Sequence, residues 1–457
     1  MNSKYEQIKT LHFKIFPNAV PSKDSAGAGL NQTETATASV SQILFSKKRL
    51  LERCYPGSYI INSYLLRALR KLEGLVDFHM QSIGAQRILM PSLSPSHLWK
   101  DSGRWDLMGK ELFRVEDRND NQLCLAPTHE ETVCSMVANH QLSYKSLPLL
   151  LYQITGKFRD EPHQKHGLLR GREFIMKDLY TFDENETQAK KTYNMVVNAY
   201  ENIFKELSLN VIKVAADPGA IGGSTSHEYH IESAVGEDTL KLCDKCGDAV
   251  NIELYTDVHQ PKNCQYGSCT EKRRTVKGIE LAHTFLLGDR YSKPLNVTYR
   301  SKENKPEYTY MGCYGIGVSR LLAAAVEVLS TSSHMKMPRV ISPYQLVIIP
   351  QKKGYKFEET LHIAEQVYDE LERIPSTRGE VVIDDRFNQS IGQRIRDAKL
   401  MGFPLALCVS KQALASEGGD ETVEILDLYE GESQRVALQE ITSYLSARVA
   451  TVQHHLV

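Results

Sequence analysis

Two arginine-bearing segments, FRDE at 158–161 and RGREF at 170–174, lie on either side of a short loop. An arginine side chain presents a rigid fork of donors that matches phosphate oxygens, and it keeps its charge at physiological pH. The ring of Phe174 offers a face on which a purine could stack. The two segments therefore indicate a nucleotide-binding hairpin, although the same residues also fit a hairpin of solvated charges around a core phenylalanine.

A glycine-rich segment, GCYGIGVSR at 312–320, runs directly into an apolar helix. Glycines allow a backbone to approach a ligand closely. Arg320 stands at the start of the helix, beside these glycines. The pattern suits the second wall of a ligand site, and it equally suits a strand packed tightly on a helix.

A hydroxyl and a carboxylate stand two residues apart in the segment LAPTHEE at 125–131. Thr128 and Glu130, if both lie in a turn, could together hold an ammonium group. Thr128 and Glu131 also fit the S/T-x-x-E capping box that begins a helix. In the capped arrangement Glu130 is left for a ligand, so both interpretations stay open.

Four of the nine cysteines cluster in one region, at Cys243, Cys246, Cys264 and Cys269. The CxxC pair is typical of a zinc ribbon, whereas the CxxxxC spacing of the second pair is looser than usual. The alternative is a hairpin region with free thiols, which the spacing favours. The odd cysteine count in a long chain argues against a disulfide scaffold and for a reducing compartment.

Composition limits the class of protein. The chain has 457 residues, which predicts two to four domains. The formal net charge of −1 means that a nucleic-acid partner must be met by local basic patches. No apolar run approaches the roughly 18 residues of a membrane span, so no membrane partner is expected.

The first 40 residues are predicted to be an N-terminal extension. Residues 22–40 are small and polar, as in a flexible link. Residues 1–21 carry three lysines among apolar side chains, which fits either an organelle-targeting helix or a frayed end.

Apolar periodicity predicts the elements that must position the candidate residues. Helical spacing indicates amphipathic helices over Ile61–Gln81 and Glu186–Leu207, with Gly84 as the C-cap of the first. Arg87–Met90 is predicted to be a strand and Leu321–Leu329 a buried helix, with strands and turns dominating residues 210–312.

The last part of the chain alternates strand and helix, which predicts a separate α/β domain. The predicted strands and helices, in order, are Gln345–Ile349, His362–Leu371, Val381–Ile383, Ile391–Lys399 and Leu405–Val409.

Together these elements resemble the class II aminoacyl-tRNA synthetases. The helix and strand around Gly84, Ile88 and Pro91 are similar to motif 1, residues 159–178 to motif 2, and residues 315–320 to motif 3. The phrases MPSLSPSHLW, LAPTHEE, LLRGREFIMKDLYTFD, HTFLLGDRYS and MGCYGIGVSR resemble the prolyl subgroup, and the likeness extends from Ser41 to the C-terminus.

The resemblance implies an α+β catalytic domain with an antiparallel sheet at residues 41–335, followed by an α/β anticodon-binding domain at residues 342–457. It also implies a homodimer built through motif 1. Motif 3 usually has an acid before its arginine, and this chain departs from that pattern with Ser319.

The resemblance assigns roles to individual residues. The implied catalytic residues are Arg159, Glu161 and Arg320, and the implied ATP-binding residues add Arg170, Arg172 and Phe174. The implied proline-binding residues are Thr128, Glu130, Arg159, His283, Phe285 and Cys313. The implied anticodon contacts are Arg386, Arg394, Arg396 and Lys399.

The implied activity is the activation of L-proline with ATP and Mg²⁺, followed by transfer of proline to tRNA(Pro). One alternative is another class IIa synthetase, and the segments HTFLLG and MGCYGIG argue against it. The other alternative is a catalytically inactive relative. Against it stands the presence of Arg159, Glu161, Thr128 and Arg320. The stretch between Asp178 and Gly312 is too short for the editing domain of bacterial prolyl enzymes, as in the mitochondrial ones. The resemblance therefore implies the mitochondrial matrix.

Overall fold

A computed structural model describes residues 39–254, 269, 271–414 and 421–449. The predicted N-terminal extension, apart from its last two residues, lies outside these ranges. Within them, the α-helices are α1 (Val40–Lys47), α2 (Ser63–Ser82), α3 (Ser96–Asp101), α4 (Arg104–Leu107), α5 (Glu130–Ala138), α6 (Glu186–Glu206), α7 (Val318–Leu329), α8 (Phe357–Arg373), α9 (Ile391–Met401) and α10 (Ile441–Arg448). Short 3₁₀ segments cover Gly109–Glu111, Tyr144–Ser146, Gly167–Leu169, Ile252–Leu254, Arg339–Ile341, Lys411–Ala413 and Leu438–Glu440.

The strands of the described chain are numbered in sequence order. They are β1 (Leu51–Tyr55), β2 (Ser58–Ile61), β3 (Gln86–Arg87), β4 (Leu93–Pro95), β5 (Arg114–Glu116), β6 (Gln122–Leu125), β7 (Leu142–Ser143), β8 (Leu149–Phe158), β9 (Glu173–Asp183), β10 (Val211–Ala215), β11 (Thr225–Glu232), β12 (Asp238–Leu242), β13 (Ala249–Asn251), β14 (Arg274–Gly288), β15 (Thr298–Arg300), β16 (Pro306–Tyr308), β17 (Tyr310–Gly317), β18 (Leu346–Pro350), β19 (Val381–Ile383), β20 (Leu405–Val409), β21 (Thr422–Asp427) and β22 (Ser433–Ala437).

Contacts divide the described residues into two compact units. One unit holds Arg53–Tyr59 and Leu75–Ala324, and the other holds the described residues up to Glu52, Ile60–Gly74 and those from Ala325 onward. The predicted domain boundaries stay a prediction. Across the described residues, no helix has both the length and the apolar character that crossing a membrane requires.

The first unit is built on a large, mostly antiparallel sheet. Among the described residues, nine strands join in the order β11-β10-β13-β12-β14-β17-β9-β8-β3. The four central strands β14, β17, β9 and β8 are long and pair antiparallel, so their side chains alternate between two faces. The predicted antiparallel sheet is confirmed.

The two faces of strand β9 have different neighbours. Asp178 lines an open cleft, and the adjacent Lys177 points the other way, where its Nζ donates to the hydroxyl of Tyr200 on α6 at 2.6 Å. Helix α6 covers this second face with a buried stripe that includes Tyr193, Val197 and Phe204. The sheet therefore has a packed face under α6 and a face that is free to form a site.

The second unit contains a five-stranded sheet among the residues described, in the order β19-β18-β20-β21-β22. The first three strands pair in parallel and the last two are antiparallel. Helix α8 buries Ile363, Val367 and Leu371 against this sheet. The alternation of parallel strands and helices confirms the predicted α/β character.

Most predicted elements agree with the structure to within a few residues, and Gly84 ends α2 with a φ of +78°. The predicted strand over Arg87–Met90 is wrong beyond its first residue, because β3 ends at Arg87 and the N–H of Met90 donates to the Gln153 side chain at 3.0 Å. Elements β21, β22 and α10 were not predicted.

Candidate active site

Two adjoining cavities lie on the open face of the large sheet, and both are lined by Arg159, Glu280 and Arg320. The first is further lined by Thr128, Phe174, Met176, Asp178, Ile221, Leu281, Ala282, His283, Phe285, Cys313, Gly315 and Gly317. The second is further lined by Glu161, His166, Leu169, Arg170, Val235, Gly236, Glu237, Asp238, Gly278 and Ile279. The structure thus brings the three sequence segments singled out for chemistry into one cleft.

Arg159 is positioned by the hairpin of β8 and β9, in which Phe158 pairs with Glu173. Its guanidinium carbon lies 5.2 Å from the centre of the Phe174 ring. Its Nε is buried without a hydrogen-bond partner among the described residues, and the nearest carboxylate, that of Glu111, is 3.9 Å away. A buried donor without a partner is costly, which marks this guanidinium as a group prepared for a ligand.

The other charged residues of the hairpin are paired with each other. Arg170 donates to the Glu161 carboxylate at 2.7 and 3.0 Å and also contacts Glu237. Arg172 contacts Asp160 at 3.0 Å. The arginines at the outer end of the cleft are therefore held by carboxylates.

Arg320 reaches the cleft from the start of α7, directly after β17. Its Nε donates to the Leu169 carbonyl at 2.8 Å, and its Nη1 donates to the backbone and carboxylate oxygens of Glu280 at 3.0 and 3.2 Å. Ser319, which replaces the usual acid, accepts the N–H of Ile175 at 3.1 Å and ties α7 to β9.

Glu130 is fully buried and lies behind the first cavity, where it contacts the lining residues Thr128 and Cys313. It accepts hydrogen bonds from the Thr128 hydroxyl at 2.7 Å, the Cys313 thiol at 3.0 Å and the Arg104 guanidinium at 3.0 Å. Burial alone would raise the pKa of Glu130, but Arg104 and these donors hold that pKa below its usual range. Glu130 is thus a fixed anion beside the cleft.

The predicted capping box of Thr128 and Glu131 is wrong. Helix α5 begins at Glu130 with no side-chain hydrogen bond at its N-cap His129. Thr128 is engaged by Glu130, and Glu131 accepts hydrogen bonds from Arg104 at 3.0 Å and Ser102 at 2.8 Å. Two buried carboxylates near one arginine offer a stronger set of bonds than a cap does.

Arg104 was missed by the sequence reasoning. It is 1% exposed, its guanidinium lies 4.9 Å from the Trp99 ring centre, and it contacts both Glu130 and Glu131. Burial raises the pKa of Glu131, Arg104 opposes this rise, and the charge of Glu130 adds to it. A buried arginine that faces two acids leaves no periodic trace in a sequence.

Asp178 lines the first cavity, although the sequence analysis gave it no role. It is almost fully buried, and it accepts hydrogen bonds from Lys157 at 2.7 Å, Tyr180 at 2.9 Å and Gln153 at 3.0 Å. It places a second carboxylate on the wall of the first cavity.

Strand β14 supplies the flat wall of that cavity. The rings of His283 and Phe285 stack with centres 3.9 Å apart, and the pairing of β14 with β17 sets Phe285 opposite Cys313. His283 is held by the Ser226 hydroxyl and by Glu280, the latter at 3.2 Å. These groups form a small, largely apolar recess beside Glu130.

Glu228, Glu280 and His283 could hold a metal ion, because one donor atom from each lies within 4.8 Å of the others. Carboxylate oxygens suit Mg²⁺, whereas an imidazole does not. The two glutamates therefore offer oxygens that suit Mg²⁺, and Glu280 lines both cavities.

Comparisons with known proteins identify the family of the chain. Residues 113–329 match the family model of the tRNA synthetase class II core domain (G, H, P, S and T), and residues 345–448 match the anticodon binding domain. The chain is 48% identical to the probable mitochondrial proline–tRNA ligase of Rattus norvegicus over 378 residues, which are 82% of this chain and 78% of that protein. It is 40% identical over 357 residues to the probable mitochondrial enzyme of Schizosaccharomyces pombe, covering 78% of this chain and 82% of that protein.

The chain belongs to the proline–tRNA ligases. This family membership confirms the predicted resemblance to class II synthetases of the prolyl subgroup and sets aside the other class IIa enzymes. The prolyl-tRNA synthetase of Giardia lamblia, solved with prolyl-adenylate, has a similar fold with a TM-score of 0.74. It is 21% identical and is matched over 90% of this chain and 80% of that one, so this likeness concerns the fold.

The predicted anticodon contacts of this proline–tRNA ligase differ in their surroundings. Arg386 contacts Asp384 and Asp397, both at 2.7 Å, and Arg396 is exposed with a bond to Gln393. Arg394 is fully buried and donates to the carbonyls of Pro350 and Asp384. The prediction for Arg394 is therefore corrected: a side chain enclosed by its own domain holds β18 and does not reach RNA.

The cysteine cluster of the ligase is separate from the cleft residues. Cys243, Cys246 and Cys269 bring their sulfurs within 4.8 Å of one another. Cys264 lies outside the described residues.

We expect Arg104→Met to raise the KM for proline at least about tenfold and to lower the melting temperature. Removal of one partner of a buried ion pair typically costs about 3–5 kcal/mol because the remaining charge is uncompensated. Proline-dependent pyrophosphate exchange and a thermal melt measure the two effects. Arg118→Met, at an exposed position, is the matched control, and equal KM values in the two variants would contradict the role of Arg104.

Proposed function

We propose that this chain activates L-proline with ATP to form prolyl-adenylate and then transfers proline to tRNA(Pro). The proposal is carried by one observation: Thr128 and Cys313, which both donate to the buried Glu130, line the same cleft as Arg159 and Arg320. A fixed anion and two cations in one cleft match a substrate that carries a cationic imino group and an anionic carboxylate.

Proline enters the first cavity. Its imino group is a cation at neutral pH, and it binds beside the carboxylates of Glu130 and Asp178 with the Thr128 hydroxyl as a further partner. The pyrrolidine ring packs against His283, Phe285 and Cys313. Family membership supports these roles, and so does the position of the residues in the recess.

ATP occupies the second cavity and the border between the two. Arg159 contacts the α-phosphate and the proline carboxylate, and its unpartnered Nε supports this role. The adenine lies between the Phe174 ring and the Arg320 guanidinium, a cation–π arrangement. Glu161 holds the adenine end, and Arg170 or Arg172 holds the outer phosphates.

The activation step requires little covalent chemistry from the protein. A proline carboxylate oxygen attacks the α-phosphorus, and the bond to pyrophosphate breaks on the opposite side. Arg159 orients the two reactants and stabilises the negative charge that develops on the α-phosphate oxygens. When bound at Glu228 and Glu280, Mg²⁺ supplies Lewis-acid stabilisation of the phosphate charge.

Transfer follows when a hydroxyl of the terminal ribose of the tRNA attacks the acyl carbon and AMP leaves. The C-terminal unit contributes the exposed Arg396, with Arg386 and Lys399, as contacts to the anticodon. Arginine and lysine side chains suit both phosphate and base edges.

The mitochondrial names of the relatives support a mitochondrial location, and within it we propose the matrix as the site of this reaction. A homodimer is proposed through the segment from Gly84 to Pro91, because β3 is an edge strand and the neighbouring Leu89 is 83% exposed. An exposed leucine beside an open strand edge is a surface that a second copy can cover.

Arg159→Ala is expected to reduce proline-dependent pyrophosphate exchange by about 10²-fold or more, because a charge-stabilising contact to the transition state is lost. The melting temperature should change little, since the Arg159 Nε has no partner in the described chain. Arg118→Ala should exchange pyrophosphate like the parent chain. Near-normal exchange by Arg159→Ala would overturn the assignment of the 158–174 hairpin.

Light scattering at micromolar concentration should give twice the chain mass of 51.7 kDa. Leu89→Glu is expected to lower this mass, because it places a charge in the proposed interface. Leu107→Glu, at a side chain that is 59% exposed outside that segment, should remain dimeric. A monomer mass for the parent chain would exclude the dimer.

Alanine should be attached to tRNA(Pro) at a low rate and not removed. A hydrophobic pocket excludes a smaller substrate by only about 1–3 kcal/mol per missing group. Alanyl-tRNA(Pro) is expected to decay equally fast with the protein and in buffer. Rapid hydrolysis by the purified chain would reveal an editing site and refute the prediction.

A further inference from the structure

Three cysteines that the proposed reaction does not use converge where β12, β13 and β14 meet. Cys243 follows β12 and Cys246 lies three residues later in the same turn, whereas Cys269 precedes β14. Cys243 and Cys269 are buried, and Cys246 is exposed. All three sulfurs lie within 4.8 Å of one another.

We propose that Cys243, Cys246 and Cys269 form a structural Zn²⁺ site that joins the β12–β13 turn to the start of β14. A tetrahedral zinc ion with Zn–S bonds near 2.3 Å places its sulfurs about 3.8 Å apart. The Cys243 and Cys269 sulfurs are 3.7 Å apart. This separation agrees with a shared ion and is far from the roughly 2.05 Å of a disulfide.

The CxxC pair lies in a tight turn that a backbone hydrogen bond closes. The Gly247 N–H donates to the Cys243 carbonyl at 2.9 Å, and Gly247 adopts a φ of +73°, which favours glycine. The backbone N–H groups of Cys246 and Lys245 point at the Cys243 sulfur. The metal-binding form of cysteine is the thiolate, which these N–H groups stabilise.

Ion pairs hold the two cysteine-bearing segments together without the metal. Lys245 contacts Glu271 at 3.1 Å, Asp244 contacts Arg274 at 2.7 Å, and Asp248 contacts Arg273. The site is therefore organised before the ion binds, which reduces the entropy lost on binding.

Thiolate ligands select zinc or an iron–sulfur cluster over Mg²⁺. An ion at this point secures the start of β14, the strand that carries Glu280, His283 and Phe285 into the cleft. Its role is to stabilise the fold, and it is independent of the proposed catalytic roles.

The test is the metal content of the full chain, purified with a thiol reductant and without chelators. We expect about one zinc per chain by elemental analysis, and less than this in Cys246→Ser and Cys269→Ser. Cys54→Ser, at an exposed cysteine outside the cluster, is the matched control and should retain its zinc. A chelator should lower the melting temperature of the parent chain and leave that of Cys246→Ser unchanged.

Cobalt titration of the metal-free parent chain decides the question without any variant. Binding at thiolates should produce a sulfur-to-cobalt charge-transfer absorption, which added zinc abolishes. The proposal is overturned if this absorption is absent, if elemental analysis finds iron in place of zinc, or if the parent chain and Cys246→Ser hold equal zinc. A mass two hydrogens lower after purification, with no bound metal, would indicate a disulfide and would also overturn it.

Discussion

The proposed proline end of the site depends on one guanidinium, that of Arg104, which contacts two buried carboxylates. One cation cannot neutralise both acids, and the pKa values move in opposite directions: that of Glu130 is lowered and that of Glu131 is raised. Glu130 is therefore the ionised acid of the two, and Glu131 has the greater tendency to hold a proton. In the proposed binding mode, the cationic imino group of proline approaches the ionised Glu130.

The same cluster is oriented before any substrate arrives. Glu130 is held by Arg104, Thr128 and Cys313, which come from three separate segments of the chain. Groups fixed in this way need no reorganisation when charge is presented to them. Strand β9 adds to this rigidity, because Lys177 is anchored to the carbonyl of Tyr314 at 2.9 Å as well as to α6. Burial on the packed face of the strand lowers the pKa of Lys177 to about 7.

The sequence predicted the long helices and strands and the residues that belong to recognisable local motifs. It did not predict which distant residues contact them. Helix α6 and the 158–174 hairpin were predictable because apolar period and arginine spacing are local properties. Arg104 pairs with Glu130 across a stretch of unrelated sequence, and nothing near Arg104 signals a buried acid. The prediction for Arg394 was wrong for the same reason. The carbonyls that enclose this side chain belong to other elements, and its position in the helix alone resembles that of a solvent-exposed residue.

The arginines of the cleft differ in the hydrogen bonds that they would lose when ATP binds. Arg170 is 34% exposed and contacts the Glu161 carboxylate at 2.7 Å, and Arg172 contacts Asp160 at 3.0 Å. Partly exposed pairs of this kind contribute about 0–1 kcal/mol, so exchanging a carboxylate for a phosphate costs little. Arg159 gives up no hydrogen bond at its Nε, which has no partner in the described chain. In the proposed binding mode, the α-phosphate contacts Arg159, which is already in place, whereas the outer phosphates contact Arg170 or Arg172, each of which exchanges a carboxylate for a phosphate. This difference suits a reaction in which the α-phosphate stays on the enzyme as adenylate and the outer phosphates depart.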